Sequence, residues 1–245
     1  MTDQADVVGA GSHDYTATYD PDTDFDAWYT RATAALIAPQ IRPGQHVLEL
    51  GCATGLMTSL LASTGANFVG VERSAGYLDR AAARNLPRTE WIQADLAEFT
   101  SEGGFDHILA TNLLHGFDDP TWLLRRIAGW LSAGGLLHVT LPNPDSLNIL
   151  VALADGLMTD SLALSDRARM YGTRRAWPAA AFRDLARDNG FEVVATGGVS
   201  LKPYPNATMA RLPEHVLDGL ARAAAILPDN AAMHYTALAR AGGRS

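Results

Sequence analysis

The chain holds a single cysteine, Cys52, among its 245 residues. One thiol excludes an intrachain disulfide and any metal site built from several cysteines. Positive charge is scarce: 19 Lys and Arg stand against 27 Asp and Glu, a formal net charge of −8. Such a surface repels nucleic acid and anionic membranes unless basic side chains are gathered locally, so neither partner is expected. Long apolar runs are missing. The longest, Leu147–Met158, contains Asn148 and Asp155 and is too short to span a bilayer. Residues 1–14 are polar and acidic, without the apolar core of a signal peptide, and a cytoplasmic protein is expected. The scattered His and Asp residues lack ligand spacing, and no metal is expected.

With 47% apolar and 19% charged residues, the composition is that of a globular protein. The length suits one α/β domain over residues 1–245 with a small elaboration. Strand-like stretches at His46–Gly51, Asn67–Glu72, Glu90–Ala94, Phe105–Thr111, Gly135–Leu141, Phe191–Val199 and Met233–Arg240 alternate with helical patterns. The helical patterns fall near 24–38, 55–64, 75–85, 120–131, 178–189 and 213–226. This alternation predicts a parallel sheet wrapped by helices. Pro120 suits a helix start, and Gly134-Gly135 and Asn189-Gly190 suit helix exits. Two regions stand apart: residues 1–30, rich in interleaved aromatics, and 143–177, read as an inserted segment of one or two helices. Both are expected near the carboxyl ends of the strands as lids, or else as covers for sheet edges.

The most informative stretch is His46–Gly55. A short apolar run ends at a carboxylate, Glu49, and opens into a tight turn with glycines at Gly51 and Gly55. Glycines at a strand-to-helix turn let the backbone approach a ligand where a Cβ would collide. Glu72 ends the next strand 21 positions after Gly51, where nucleoside-binding folds place an acceptor for ribose hydroxyls. A dinucleotide fingerprint would require glycines at 53 and 56, which here are Ala53 and Leu56.

The ordered series Glu49-x-Gly51-x-Ala53-x-Gly55, Val69–Glu72, Ala94-Asp95-Leu96, Phe105–Ala110 and Leu131–Leu137 resembles the class I S-adenosylmethionine-dependent methyltransferases, in particular the small-molecule, ubiquinone-biosynthesis-like branch. It runs from about residue 44 to 142 and more loosely to the C-terminus. The resemblance implies a Rossmann-like, doubly wound seven-stranded sheet of order 3-2-1-4-5-7-6, with strand seven antiparallel. It implies S-adenosylmethionine as cofactor, contacted by Glu49, Gly51, Cys52, Ala53, Gly55, Glu72, Arg73, Asp95, Leu96, Asn112 and Leu113. Glu72 would take both ribose hydroxyls and Asp95 the adenine amino group. Asn112 and Leu113 would lie beside the methionine portion. Glu49 and Asp95 could instead cap helices, and Cys52 reads as a packing residue rather than a nucleophile.

Implied by the same resemblance is methyl transfer to a small molecule, with oxygen the favoured acceptor in secondary metabolism and nitrogen the alternative. The Asp/Asn-Pro-Pro-Tyr/Phe motif of nucleic-acid amino methylation is absent, since the fourth strand ends Thr111-Asn112-Leu113-Leu114. A nicotinamide-dependent oxidoreductase and a non-catalytic binding module remain as further alternatives. His115, just past the fourth strand, is the candidate general base, with loop packing as its competing role. Tyr15, Tyr19 and Tyr171 are candidate acceptor contacts, with rim packing as the bland alternative. Arg167, Arg169, Arg174 and Arg175 read either as a solvated helix face or as a receptor for a carboxylate or phosphate. A monomer or homodimer is expected.

Overall fold

The computed structural model describes residues 18–242. Seven strands form one sheet: β1 (His46–Leu50), β2 (Asn67–Glu72), β3 (Thr89–Gln93), β4 (Phe105–Thr111), β5 (Leu131–Pro142), β6 (Phe191–Leu201) and β7 (Ala231–Arg240). Their spatial order is β3-β2-β1-β4-β5-β7-β6, as the resemblance implied. Neighbours from β3 through β5 pair in parallel, and β7 runs antiparallel to both β5 and β6. Strands β1 through β6 therefore share one carboxyl edge, where the connecting loops can build a ligand site.

Helices cover both faces. One core layer sets Leu48, Ile108 and Leu137 against Leu123, Leu124 and Ile127 of α4 (Thr121–Trp130) and Phe182 of α7 (Ala179–Asp188). The other sets Val47, Phe68 and Leu109 against Ile37 of α1 (Asp26–Ile37) and Leu61 of α2 (Leu56–Leu61). Central strands read as near-continuous apolar runs because helices bury both of their faces. Helix α3 (Ala75–Ala83) starts at Ser74, whose hydroxyl accepts from the Tyr77 amide. Segment 143–177 carries α5 (Leu147–Ala154) and α6 (Asp166–Met170). Between β6 and β7 lie α8 (Asn206–Met209) and α9 (Glu214–Ala223).

Boundaries differ from expectation in one instructive place. Gly134-Gly135 does not end α4; that helix stops at Trp130 and β5 starts at once with Leu131 paired to Phe105. Gly134, at φ +77°, lies inside the strand, where the register shifts between Phe105 and His107. The two glycines form a bulge that realigns β5.

The strand histidines form a buried chain of hydrogen bonds. The Gln40 amide and the His138 Nδ1 both meet the Tyr235 hydroxyl, His138 Nε2 lies 2.9 Å from His107 Nδ1, and His107 Nε2 lies 3.2 Å from Gln45 Oε1. A single direction of donation satisfies every atom: Gln40 to Tyr235, Tyr235 to His138, His138 to His107 and His107 to Gln45. Both rings are then neutral, in agreement with burial holding both of their pKa values down, His138 to about 3.

Candidate functional site

A cavity of about 1080 Å³ opens along the carboxyl edge of the sheet. Its wall includes Tyr19, Glu49, Gly51, Cys52, Ala53, Glu72, Arg73, Asp95, Leu96, Asn112, Leu113, His115 and Tyr171. Of the expected contacts, Gly55 is not in that wall and Tyr15 lies outside the described residues.

The glycine turn divides its labour. Gly51 holds φ +69°, and a Cβ there would stand 3.1 Å from Leu113 Cδ1 at the cavity surface. At Gly55, by contrast, a Cβ would point into the core, meeting Trp91 Cη2 at 2.7 Å and Ala81 Cβ at 3.1 Å. The glycine permits a tryptophan to back the turn. Ala53 adopts φ +45°, a strained region for a residue with a side chain. Its amide donates to Glu72 Oε2 at 3.1 Å, which fixes the turn against the end of β2. Glu72 Oε1 accepts from the Ser74 amide at 2.8 Å. Each oxygen retains one lone pair for a ligand. Asp95 does not cap the helix expected at 96–99. Oδ1 accepts from the Ala97 amide at 2.8 Å and ties a turn, not a helix, while the residue also lines the cavity. Asn112, at φ +52°, donates its amide to the Thr140 backbone and hydroxyl oxygens, so β5 fixes the loop after β4.

Three titratable groups sit deep in the site. Glu49 is buried, accepts from the Thr58 hydroxyl of α2, and has its carboxyl pKa pushed up to about 7 by desolvation. It thus both anchors a helix and lines the cavity. Burial, with Glu49 and Glu72 nearby, pushes the Cys52 thiol up, so it stays protonated and packs. His115 is 8% exposed, its Nδ1 has no hydrogen-bond partner among the described residues, and desolvation lowers its pKa to about 4. It is a neutral imidazole of reduced basicity at pH 7.

Residues 18–25 strap across the turn. Asp22 Oδ1 takes bonds from Thr54 Oγ1 at 2.8 Å and Arg84 at 2.6 Å, and Arg80 pairs with Asp20 and Asp22. The Tyr77 hydroxyl donates to the Tyr19 carbonyl. On the far side, Arg167 of α6 pairs with Asp24 and Asp26 and lies over the Tyr171 ring at 4.7 Å. Tyr19 and Tyr171 meet with ring centroids 4.8 Å apart. The described part of the first expected lid, from Tyr19 to Asp26, thus meets Arg167 and Tyr171 of the second at the cavity wall. Arg167, Arg169, Arg174 and Arg175 all line its wall.

Sequence reasoning missed several wall residues: Tyr29 and Thr33 of α1, Tyr77, Asn206 and Lys202. For Lys202 a signal existed, because it immediately follows β6 at the ligand-binding edge. The α1 residues carried none, since their helix face reads as core. Among the described residues no group of three or more His, Cys, Asp or Glu could hold a metal, and no helix is long and apolar enough to cross a membrane.

Comparison with known proteins yields relatives of consistent kind. The chain is 32% identical over 169 residues to a trans-aconitate 2-methyltransferase of Deinococcus radiodurans, covering 67% of this chain and 64% of that one. A Methylobacterium radiotolerans protein of the same name is 36% identical over 124 residues, 49% and 47% of the two chains. The chain thus spans from about half to just under two thirds of the length of these curated relatives. Among solved structures, the magnesium protoporphyrin IX methyltransferase of Synechocystis, with bound SAH, superposes with a TM-score of 0.60 at 18% identity over 94% of this chain and 90% of that one. That likeness concerns the fold alone. The profile described as "Methyltransferase domain" matches residues 25–196, most of the chain. Together with the sheet order and the Glu72-anchored glycine turn, this match means that the chain belongs to the class I S-adenosylmethionine-dependent methyltransferases.

Proposed function

We propose that this chain transfers a methyl group from S-adenosylmethionine to a carboxylate oxygen of a small-molecule acceptor. The residues present fit the cofactor. Glu72 keeps a free lone pair on each oxygen for a vicinal diol, and Gly51 clears the space a Cβ would take. Asp95 and Leu96, just after β3, suit the adenine, and Asn112 and Leu113, just after β4, the methionine portion, with β2 and β1 between them. Arg73, beside Glu72, and Cys52 and Ala53 complete that wall. When bound, the cofactor supplies an electrophilic methyl group on a sulfonium.

The remaining task of the protein is to hold the acceptor in line and keep water out. The single observation that carries the acceptor class is His115. Buried, neutral and shifted to about 4, it is too weak a base to take a proton from a phenol efficiently. A carboxylate has already lost its proton at neutral pH. His115 then donates a hydrogen bond to orient the acceptor rather than removing a proton from it. The names of the curated relatives, trans-aconitate 2-methyltransferases, support the same class. Residues 18–30 and 143–177 act as covers, with Tyr19 and Tyr171 closing over the reacting groups.

The test uses tritium-methyl-labelled cofactor with a panel of carboxylic acids, phenols and amines. The reading predicts transfer to a carboxylic acid, giving a product whose label is released as methanol by alkali. His115→Ala raises KM for that acid more than it lowers kcat. Alkali-stable label on a phenol or amine alone, or a collapse of kcat by orders of magnitude in His115→Ala, contradicts it.

A further inference from the structure

We propose that Lys202 is the cation that recognises a carboxylate of the methyl acceptor. This rests on the methyl-transfer reading above and names the residue that selects the substrate. Lys202 directly follows β6, so its backbone stands at the edge strand, with β1, β4, β5 and β7 between it and the ribose acid at the end of β2. At normal strand spacing that separation is roughly 24 Å, so even an extended lysine lies toward the acceptor end of the cavity.

Its side chain is mostly buried, yet it lines the cavity and meets no carboxylate within ion-pair distance among the described residues. The nearest aromatic contact is Tyr29, with Nζ 6.0 Å from the ring centroid. Asp26, whose charge acts on Lys202, bonds to other groups instead. Its Oδ1 accepts from Asn206 at 2.9 Å, and its Oδ2 accepts from Arg167 at 3.2 Å and from the Tyr19 hydroxyl at 3.4 Å. Asn206 Oδ1 in turn accepts from the Tyr29 hydroxyl. Asp26, Asn206 and Tyr29 are thus bonded to one another or to Arg167 and Tyr19, and among the described residues no acceptor lies within hydrogen-bond distance of the Lys202 ammonium. A buried ammonium without acceptors is costly, and a ligand carboxylate removes that cost.

The surrounding charge favours the same ligand. Apart from Glu49, Glu72, Arg73 and Asp95 toward the cofactor end, the described cavity wall holds Lys202 and four arginines against Asp26 and Asp118, in a protein whose net charge is −8. Arg167 is held by Asp24 and Asp26, and Arg175 lies over Trp177 at 4.1 Å, so the arginines frame the entrance. All four of these arginines are exposed, whereas Lys202 is half-buried beside the cavity, which sets it apart for a desolvated contact with the acceptor.

The experiment titrates propane-1,2,3-tricarboxylate into protein saturated with adenosylhomocysteine, and separately titrates adenosylhomocysteine alone. Lys202→Met keeps the aliphatic stem against Tyr29. It is expected to weaken tricarboxylate binding at least tenfold and leave adenosylhomocysteine within twofold, and Lys202→Arg should recover part of the loss. Unchanged tricarboxylate affinity in Lys202→Met overturns the proposal, as does equal binding of the uncharged trimethyl ester. A parallel loss of adenosylhomocysteine also overturns it, because the lysine would then serve the cofactor's own carboxylate. If Lys202→Met does not fold, Lys202→Gln is judged by the same criteria. Wild-type protein that binds adenosylhomocysteine but no di- or tricarboxylate refutes this proposal alone; failure to bind adenosylhomocysteine refutes the reading beneath it.

Discussion

Acidification from pH 7 to pH 5 is the perturbation whose outcome the buried histidines determine most directly. His115, His138 and His234 are folded in neutral form, with pKa values lowered to about 4, 3 and 4 by burial. An unfolded histidine titrates near 6.5, so between these values the unfolded chain binds more protons and stability falls as pH falls. Over this interval each of the three histidines removes about 2 kcal/mol. Glu49 acts with the opposite sign: its folded carboxyl, raised to about 7, gains protons first and returns about 2 kcal/mol. The net expectation is a loss of about 3 to 4 kcal/mol, to which His107, lowered in the same direction, adds. Asp20 and Asp119 have lowered values and titrate below this window. Urea unfolding at pH 7, 6 and 5 measures the difference. In His138→Gln the amide can accept from Tyr235 and donate to His107, so the hydrogen bonds survive without the titration. That variant should lose about 2 kcal/mol less over the same range. Stability at pH 5 equal to or above that at pH 7 refutes the reasoning.

Further outcomes follow from the turn and its strap. Gly55→Ala combines a left-handed backbone with a Cβ 2.7 Å from Trp91, and should cost about 2–4 kcal/mol, read as a lowered Tm. Unaltered Tm would mean that Trp91 yields freely. Arg84→Gln removes a half-buried pair with Asp22 that also holds the Thr54 carbonyl. Loss of about 1 kcal/mol should speed hydrogen exchange across residues 18–25 roughly fivefold, and unchanged exchange would mean the strap is held elsewhere.

The sheet was legible in the sequence because its central strands are buried on both faces and read as apolar runs such as Ile108–Ala110. Strand order was not legible from periodicity; it came from the resemblance and agrees with the observed topology. The inserted segment after β5 was recognised as helical, and it holds α5 and α6. The four-residue helix Asn206–Met209 had too short a pattern to register. Most expected cofactor contacts line one cavity because the carboxyl ends of β1, β2 and β4 bring their sequence-distant positions together. The two glycines look alike in the sequence, and only the position of Trp91, 36 residues later, shows that a Cβ at Gly55 would meet the core while one at Gly51 would meet Leu113. Tyr29 escaped for a related reason: it reaches the cavity wall where α1 meets β6, a contact no local pattern encodes, whereas Lys202 was overlooked despite its place directly after β6.

Calorimetric titration of adenosylhomocysteine into the wild-type chain and into Glu72→Ala tests the central claim most directly. The account predicts one saturable site in the wild type and at least tenfold weaker binding in the variant, about 1.4 kcal/mol or more. Absence of binding to the wild type, or equal affinity in the two proteins, contradicts it.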